Sequence, residues 1–160
     1  MMKEKLYKNY LIHSKTLAIL PSKQLGFDSI VLEADREIPV RRTAIQIIDD
    51  TCIDGLSTYQ GRRRAVAKIL KAFQKLPIIL NEKERIITFP TVSPENMECV
   101  WICFNNVSSY TPSPSDEDTT SITFYNGKLL NVPVKYHVIH RQMGRGAKLY
   151  YYCFRPPFGA

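Results

Sequence analysis

Six basic side chains fall between residues 62 and 75: Arg62, Arg63, Arg64, Lys68, Lys71 and Lys75, with no Asp or Glu among them. They carry +6 of the chain's net +7, leaving +1 for everything else. The basicity is therefore local, and a local patch attracts polyanions, whereas diffuse basicity mostly governs solubility. Guanidinium forks and ammonium groups recognise phosphate, so the chemistry on offer is binding of nucleic acid or of an anionic surface.

Other groups have the residue types for reactions. Asp49, Asp50 and Asp54 could hold a divalent ion for phosphoryl chemistry, although an aspartate pair at the end of an element more often forms a turn or a helix cap. Cys99 and Cys103 with His137 and His140 have the ligand types of a zinc site. Their C-x3-C and H-x2-H spacings, with the cysteines on an alternating strand pattern, fit buried strand cysteines better. Cys52 has no base placed near it by any local motif. The sequence contains no phosphate-cradling glycine loop, nucleophile elbow or metalloprotease helix, so no enzyme is expected and no cofactor is implied.

The elements that must position the basic residues follow from periodicity. Val66, Ile69, Leu70 and Phe73 recur at helical spacing, and the segment ends before Pro77, which predicts an amphipathic helix over about 61–75. Ser57 and Gln60 offer a capping box at its start. On this helix Arg64, Lys68, Lys71 and Lys75 fall in a stripe roughly 60° wide, opposite the apolar residues. Arg62 would project toward the apolar side, so Gly61 to Arg63 read better as a turn leading into the helix. Like charges at i,i+4 repel, and arginines at the positive end of the macrodipole add to that cost; a bound phosphate reverses both penalties. A solvated face and a membrane surface are the alternatives, the latter lacking a broad apolar face and a Trp anchor.

TLAILP (16–21), SIVLEA (29–34) and TAIQIID (43–49) read as strands before the helix, and LPIIL (76–80) and RIITFP (85–90) as strands after it. ECVWICFNNV (98–107) alternates with two apolar faces, as a central strand does. Residues 108–121, rich in Ser, Pro and acid, read as an internal loop. Asn126-Gly127 between apolar flanks signals a hairpin, and Pro133 makes its second arm an edge strand or a bulge. The fold class expected is α+β, a single domain over 1–160, mostly antiparallel β with one prominent basic helix.

The 160 residues and 44% hydrophobic content suffice for one ordinary core. No apolar run suits a signal peptide or a membrane span, and four scattered cysteines suit a reducing compartment, so a cytoplasmic protein is expected.

Several segments together resemble the ComK family of competence transcription factors: AILP (18–21), IQIIDDTC (45–52), STYQGRRRA (57–65), LPIIL (76–80), FPT (89–91), Trp101 and ITFYNGKLLNVPVKYH (122–137). They occur in the family's order, over about residues 16–140. The resemblance implies an activator that binds paired AT-rich promoter boxes of double-stranded DNA, largely from the minor groove, as a dimer or higher assembly at DNA-uptake genes. It also implies RNA polymerase as a partner and control by the adaptor MecA with the ClpC protease. Tyr59, Gly61, Arg62 and Arg63 match the family's shared signature. Residues 141–160 are expected to depart from the family pattern as a shortened C-terminal tail, in the region that the family associates with activation and adaptor control.

Chemistry then divides the labour. A helix about 10–12 Å across cannot lie in a minor groove about 6 Å wide, so Arg64, Lys68, Lys71 and Lys75 are expected on phosphates and Arg62 or Arg63 in the groove. The rival readings are a protein-interaction module docking an acidic partner, a family member lacking activation, and a nuclease built on the aspartates.

Overall fold

A computed structural model describes residues 5–154. Among the described residues nine strands form two antiparallel sheets, and three helices pack on them, which is the α+β class expected. The larger sheet has the order β3-β2-β1-β6-β5-β4, built from β1 (Thr16–Pro21), β2 (Ser29–Glu33), β3 (Glu37–Val40), β4 (Ile78–Asn81), β5 (Ile86–Pro90) and β6 (Trp101–Cys103). The smaller has the order β7-β8-β9, from β7 (Val107–Pro112), β8 (Thr120–Phe124) and β9 (Leu129–Val132). The helices are α1 (Ala44–Asp54), α2 (Tyr59–Leu70) and α3 (Tyr136–Phe154).

Strands β1, β2, β4, β5 and β6 lie where the apolar runs place them, with β6 in the middle of its sheet and every residue buried. Period-2 side chains give that sheet two apolar faces. One face, with Ile19, Val31, Ile78 and Trp101, packs against Ile47, Ile48 and Cys52 of α1. The other, with Ala18, Leu32, Phe89 and Ile102, packs against Ile122, Phe124 and Val132 of the small sheet and Ile139 of α3. Helix α2 crosses the β4 edge between them: Tyr59 joins the first cluster, whereas Val66 and Leu70 meet Ile79, Ile87 and Leu149 in a third. An edge strand is thereby covered.

Four readings of the sequence need correction. Residues 43–49 are not a strand but the start of α1. Ala44, Ile47, Ile48, Thr51 and Cys52 share a helical face, and Thr43 and Gln46 form a reciprocal capping box in which the Gln46 N–H donates to Thr43 Oγ1 (3.3 Å) and the Thr43 N–H to Gln46 Oε1 (2.9 Å). Residues 108–121 are not one loop, since β7 and the first residues of β8 pair from Val107↔Phe124 to Pro112↔Thr120. The strand over 98–107 is cut to three residues, followed by a 3₁₀ turn at Phe104–Asn106. Helix α2 ends at Leu70 instead of continuing to 75, because Lys71 turns left-handed with φ 52°.

The hairpin at Asn126-Gly127 forms, and β9, ahead of Pro133, is an edge strand. Residues 141–154 of the expected tail are the body of α3, and 155–160 lie outside the described residues. Helix α3 comes so close to the 3₁₀ turn that a Cβ on Gly146 would stand 2.6 Å from Phe104 Cδ2. Only glycine fits that crossing, despite its cost inside a helix.

Candidate nucleic-acid interface

The start of α2 is held by two side-chain bonds. Thr58 is the N-cap, its Oγ1 accepting the Gly61 N–H at 3.0 Å, and Asp49 Oδ1 of α1 accepts the Tyr59 N–H at 2.9 Å. A Cβ on Gly61 would crowd Thr58 Oγ1 at 3.1 Å, so a side chain here would press on the cap. The cap belongs to Thr58 and Gly61 where Ser57 and Gln60 were expected. Asp50 pairs with Arg42 at 2.9 Å, so Asp49 and Asp50 both have structural partners.

Because α2 already begins at Tyr59, the three arginines leave it in three directions. Arg62 turns inward: its side chain is 12% exposed, its guanidinium lies against Gly55 at the C-cap of α1, and Nη1 pairs with Glu82 Oε1 at 3.1 Å. The position of the guanidinium beside a helix C-terminus is electrostatically favourable. Arg63 lies on the other shoulder, and its Nη2 donates to the Phe73 carbonyl at 2.7 Å. Arg64 points to solvent. Tyr59 is buried at 7% exposure, edge-on to Trp101 with ring centroids 6.3 Å apart. Burial pushes its hydroxyl pKa up, opposed by the charge of Arg63 and a hydrogen bond from it. Tyr59 and Arg62 thus position the helix and present little surface to a ligand, in contrast to the groove contact expected of Arg62.

Of the stripe expected on one helix, only Arg64 and Lys68 lie on α2, which ends at Leu70. Arg64 and Lys68 are exposed one turn apart, and Lys71 follows at the C-cap. Lys75, half-buried, ends a short loop, 71–75, whose carbonyls are tied down from both helices. Gln142 Nε2 donates to Lys75 O (2.8 Å) and to Pro90 O (2.7 Å), and Arg145 Nη1 donates to Gln74 O (3.0 Å). None of Arg64, Lys68, Lys71 and Lys75 has an ion pair among the described residues.

Helix α3 adds cations that the sequence reading left in the tail. Arg141 and Lys148 are exposed at i−4 and i+3 from Arg145 and so share its flank, beside the 71–75 loop. Burial lowers the pKa of Arg145, and the charge of Arg141 lowers it further. Between the loop and residues Ser93 to Glu95 opens a cleft of about 880 Å³, lined also by Tyr59, Gln60, Arg63, Phe73 and Lys75. Glu95 is its one acidic wall residue.

The remaining candidates have local roles. Cys99 and Cys103 are buried, the first donating from Sγ to Val92 O at 3.5 Å, and burial pushes the Cys103 thiol up to about 12. Burial likewise raises the Cys52 thiol to about 11, against the pull of Arg62. His140 Nδ1 is 2.8 Å from the Tyr110 hydroxyl. Among the described residues no group of three or more His, Cys, Asp or Glu is placed to hold a metal ion, and no helix is long and apolar enough to cross a membrane.

The ComK protein family model matches residues 7–155, nearly the whole chain. The chain belongs to the ComK family. A curated relative, the competence transcription factor of Bacillus subtilis (strain 168), is 31% identical over 143 residues, covering 89% of this chain and 73% of the relative. The family match includes all of α3, so residues 141–155, expected to be a divergent tail, fall within it. No solved structure matches the chain significantly.

Proposed function

We propose that the chain is a DNA-binding transcription factor acting in competence, and that it grips AT-rich duplex with the outward face of α2, the 71–75 loop and the exposed flank of α3. One observation carries the reading: Arg64 and Lys68 on α2, Lys71 at its C-cap and Lys75 at the end of the following loop have no acidic partner among the described residues. Solvated helices usually mix Glu with Lys, because like charges on one face repel. A phosphate backbone supplies the missing counter-charge, and release of its condensed cations supplies much of the affinity.

The helix is too wide for the minor groove, so α2 lies over the backbone. Arg62 is held by Glu82 and Arg63 by the Phe73 carbonyl, which leaves the role in the groove to the narrower 71–75 loop. Phosphate contacts set position, and AT preference arises from groove width and duplex deformability. Assembly as a dimer or higher oligomer on paired boxes, contact with RNA polymerase, and control by MecA with ClpC belong to this reading through family membership.

The test is a titration against AT-box and scrambled duplexes at several salt concentrations. Binding with a steep salt dependence and an AT preference supports the reading. Absence of DNA binding at physiological salt, with an acidic protein recovered instead, favours the protein-interaction module, and nicking of plasmid in Mg²⁺ favours the nuclease.

A further inference from the structure

Phe73 lies at helical spacing from Val66, Ile69 and Leu70 and would be expected in the core, yet it is 78% exposed. Its neighbour Ala72 packs on the third cluster, whereas Phe73 does not join it. The reason is the backbone. Lys71 and Lys75 both adopt positive φ, 52° and 51°, a conformation that non-glycine residues rarely hold unless the surroundings fix it. The surroundings do fix it: Arg63 binds the carbonyl of Phe73, Arg145 that of Gln74, and Gln142 that of Lys75. Two helices pull the loop's carbonyls inward, and the ring is left standing out between two lysines.

A rigid aromatic tip flanked by unneutralised cations suits a stacked, polyanionic ligand. We propose that Phe73 is a wedge that enters a base step of duplex DNA from the minor groove, while Lys71 and Lys75 hold the phosphates on either side. The inference rests on the DNA-binding reading and adds to it a site of deformation. Apolar side chains inserted from the minor groove unstack a step and kink the duplex toward the major groove, most easily at flexible pyrimidine–purine steps such as TA. Part of the AT preference then comes from how readily a TA step opens, with no base-edge hydrogen bond required. Glu95, across the cleft, would repel a second backbone there and so favours approach from the loop side.

The experiment uses the full chain and two AT-rich duplexes, one with a central TA step beside a 2-aminopurine and one an uninterrupted A-tract. Binding of the unmodified protein should raise 2-aminopurine fluorescence and bend the TA duplex. Phe73→Ala should lose both signals and roughly tenfold in affinity for the TA duplex, the scale of losing one base–aromatic stack, with the salt slope and A-tract affinity unchanged. Phe73→Leu, still an apolar wedge, should keep most of the bend. An exposed ring can be removed without unfolding the chain, and an unchanged melting temperature checks this. Equal fluorescence and bending by Phe73→Ala and the unmodified protein would overturn the wedge while leaving DNA binding intact. A change in oligomeric state on Phe73→Ala, with bending retained, would overturn it in favour of a protein contact. Failure of the unmodified protein to bind either duplex would remove the DNA-binding reading and the wedge together.

Discussion

Two clusters of charge in different parts of this chain are built on opposite rules. Near the start of β1, Glu33 is buried and fully partnered: Tyr10 donates its hydroxyl to Oε2, His13 Nε2 lies 3.0 Å from Oε2, and Arg36 Nε donates to Oε1 at 2.9 Å. On α2 and the loop that follows it, Arg64, Lys68, Lys71 and Lys75 have no ion pair among the described residues. A buried charge persists only with partners, so the first cluster serves the fold. Unpaired like charges add nothing to folding, so the second is explained by something outside the chain. Arg62 and Arg64 reproduce the contrast within three residues, one tied to Glu82 and the other free to meet solvent.

The comparison breaks if mutations do not separate stability from binding. The largest effect on folding is expected at Glu33. Glu33→Gln should cost about 3 kcal/mol in denaturant unfolding, as loss of one partner from a buried ionic network does, and leave the salt dependence of DNA binding unchanged. Burial alone would raise the Glu33 carboxyl, but hydrogen bonds from Tyr10, Arg36 and His13 outweigh it and hold the pKa below the ordinary value. A depressed folded-state pKa stabilises above the unfolded value, about 4.3, and that contribution is lost as pH falls through the folded one. The gap in stability between the two proteins should therefore be full at neutral pH and close on acidification below about pH 4.

The charge reversal Lys68→Glu with Lys71→Glu should have the mirror-image result. DNA affinity at physiological salt should fall roughly a hundredfold or more, because two phosphate contacts become repulsions. Melting should stay within about 0.5 kcal/mol of the original, as for exposed surface changes. A smaller effect is expected from Arg62→Ala, about 1 kcal/mol in stability from lost packing and the Glu82 pair, with AT and GC duplexes bound in their original ratio. A selective loss of AT preference by this variant would return Arg62 to the groove.

Much of the scaffold was legible because strands β1, β2, β4 and β5 are apolar runs bounded by Pro, Gly or charge. Residues 43–49 misled because Ile45 and Ile47 satisfy a period of two over so short a window; the Thr43-x-x-Gln46 capping box was the local signal for α1. The end of α2 carried no such signal. Phe73 extends the apolar spacing, whereas Lys71 turns left-handed and the loop after it is held by bonds from α3 to the Gln74 and Lys75 carbonyls, a tertiary effect. Helix α3 was hidden in a similar way, since Gly146 argues against a helix unless its crossing at Phe104 is known. Helical phase gave the shared exposed face of Arg64 and Lys68, but it does not extend to Lys71 and Lys75, which lie past the helix end. The inward turn of Arg62 was visible as a misfit, and its cause, the α1 C-cap and Glu82, was not.

The central claim is that the unpaired stripe is a phosphate-binding surface. Its most direct test is the slope of log affinity against log salt for one AT-box duplex, measured for the unmodified chain and for Lys68→Ala. The account predicts that the slope becomes shallower by roughly one unit, with a parallel loss on a scrambled duplex. An unchanged slope, with affinity for both duplexes intact, would contradict it.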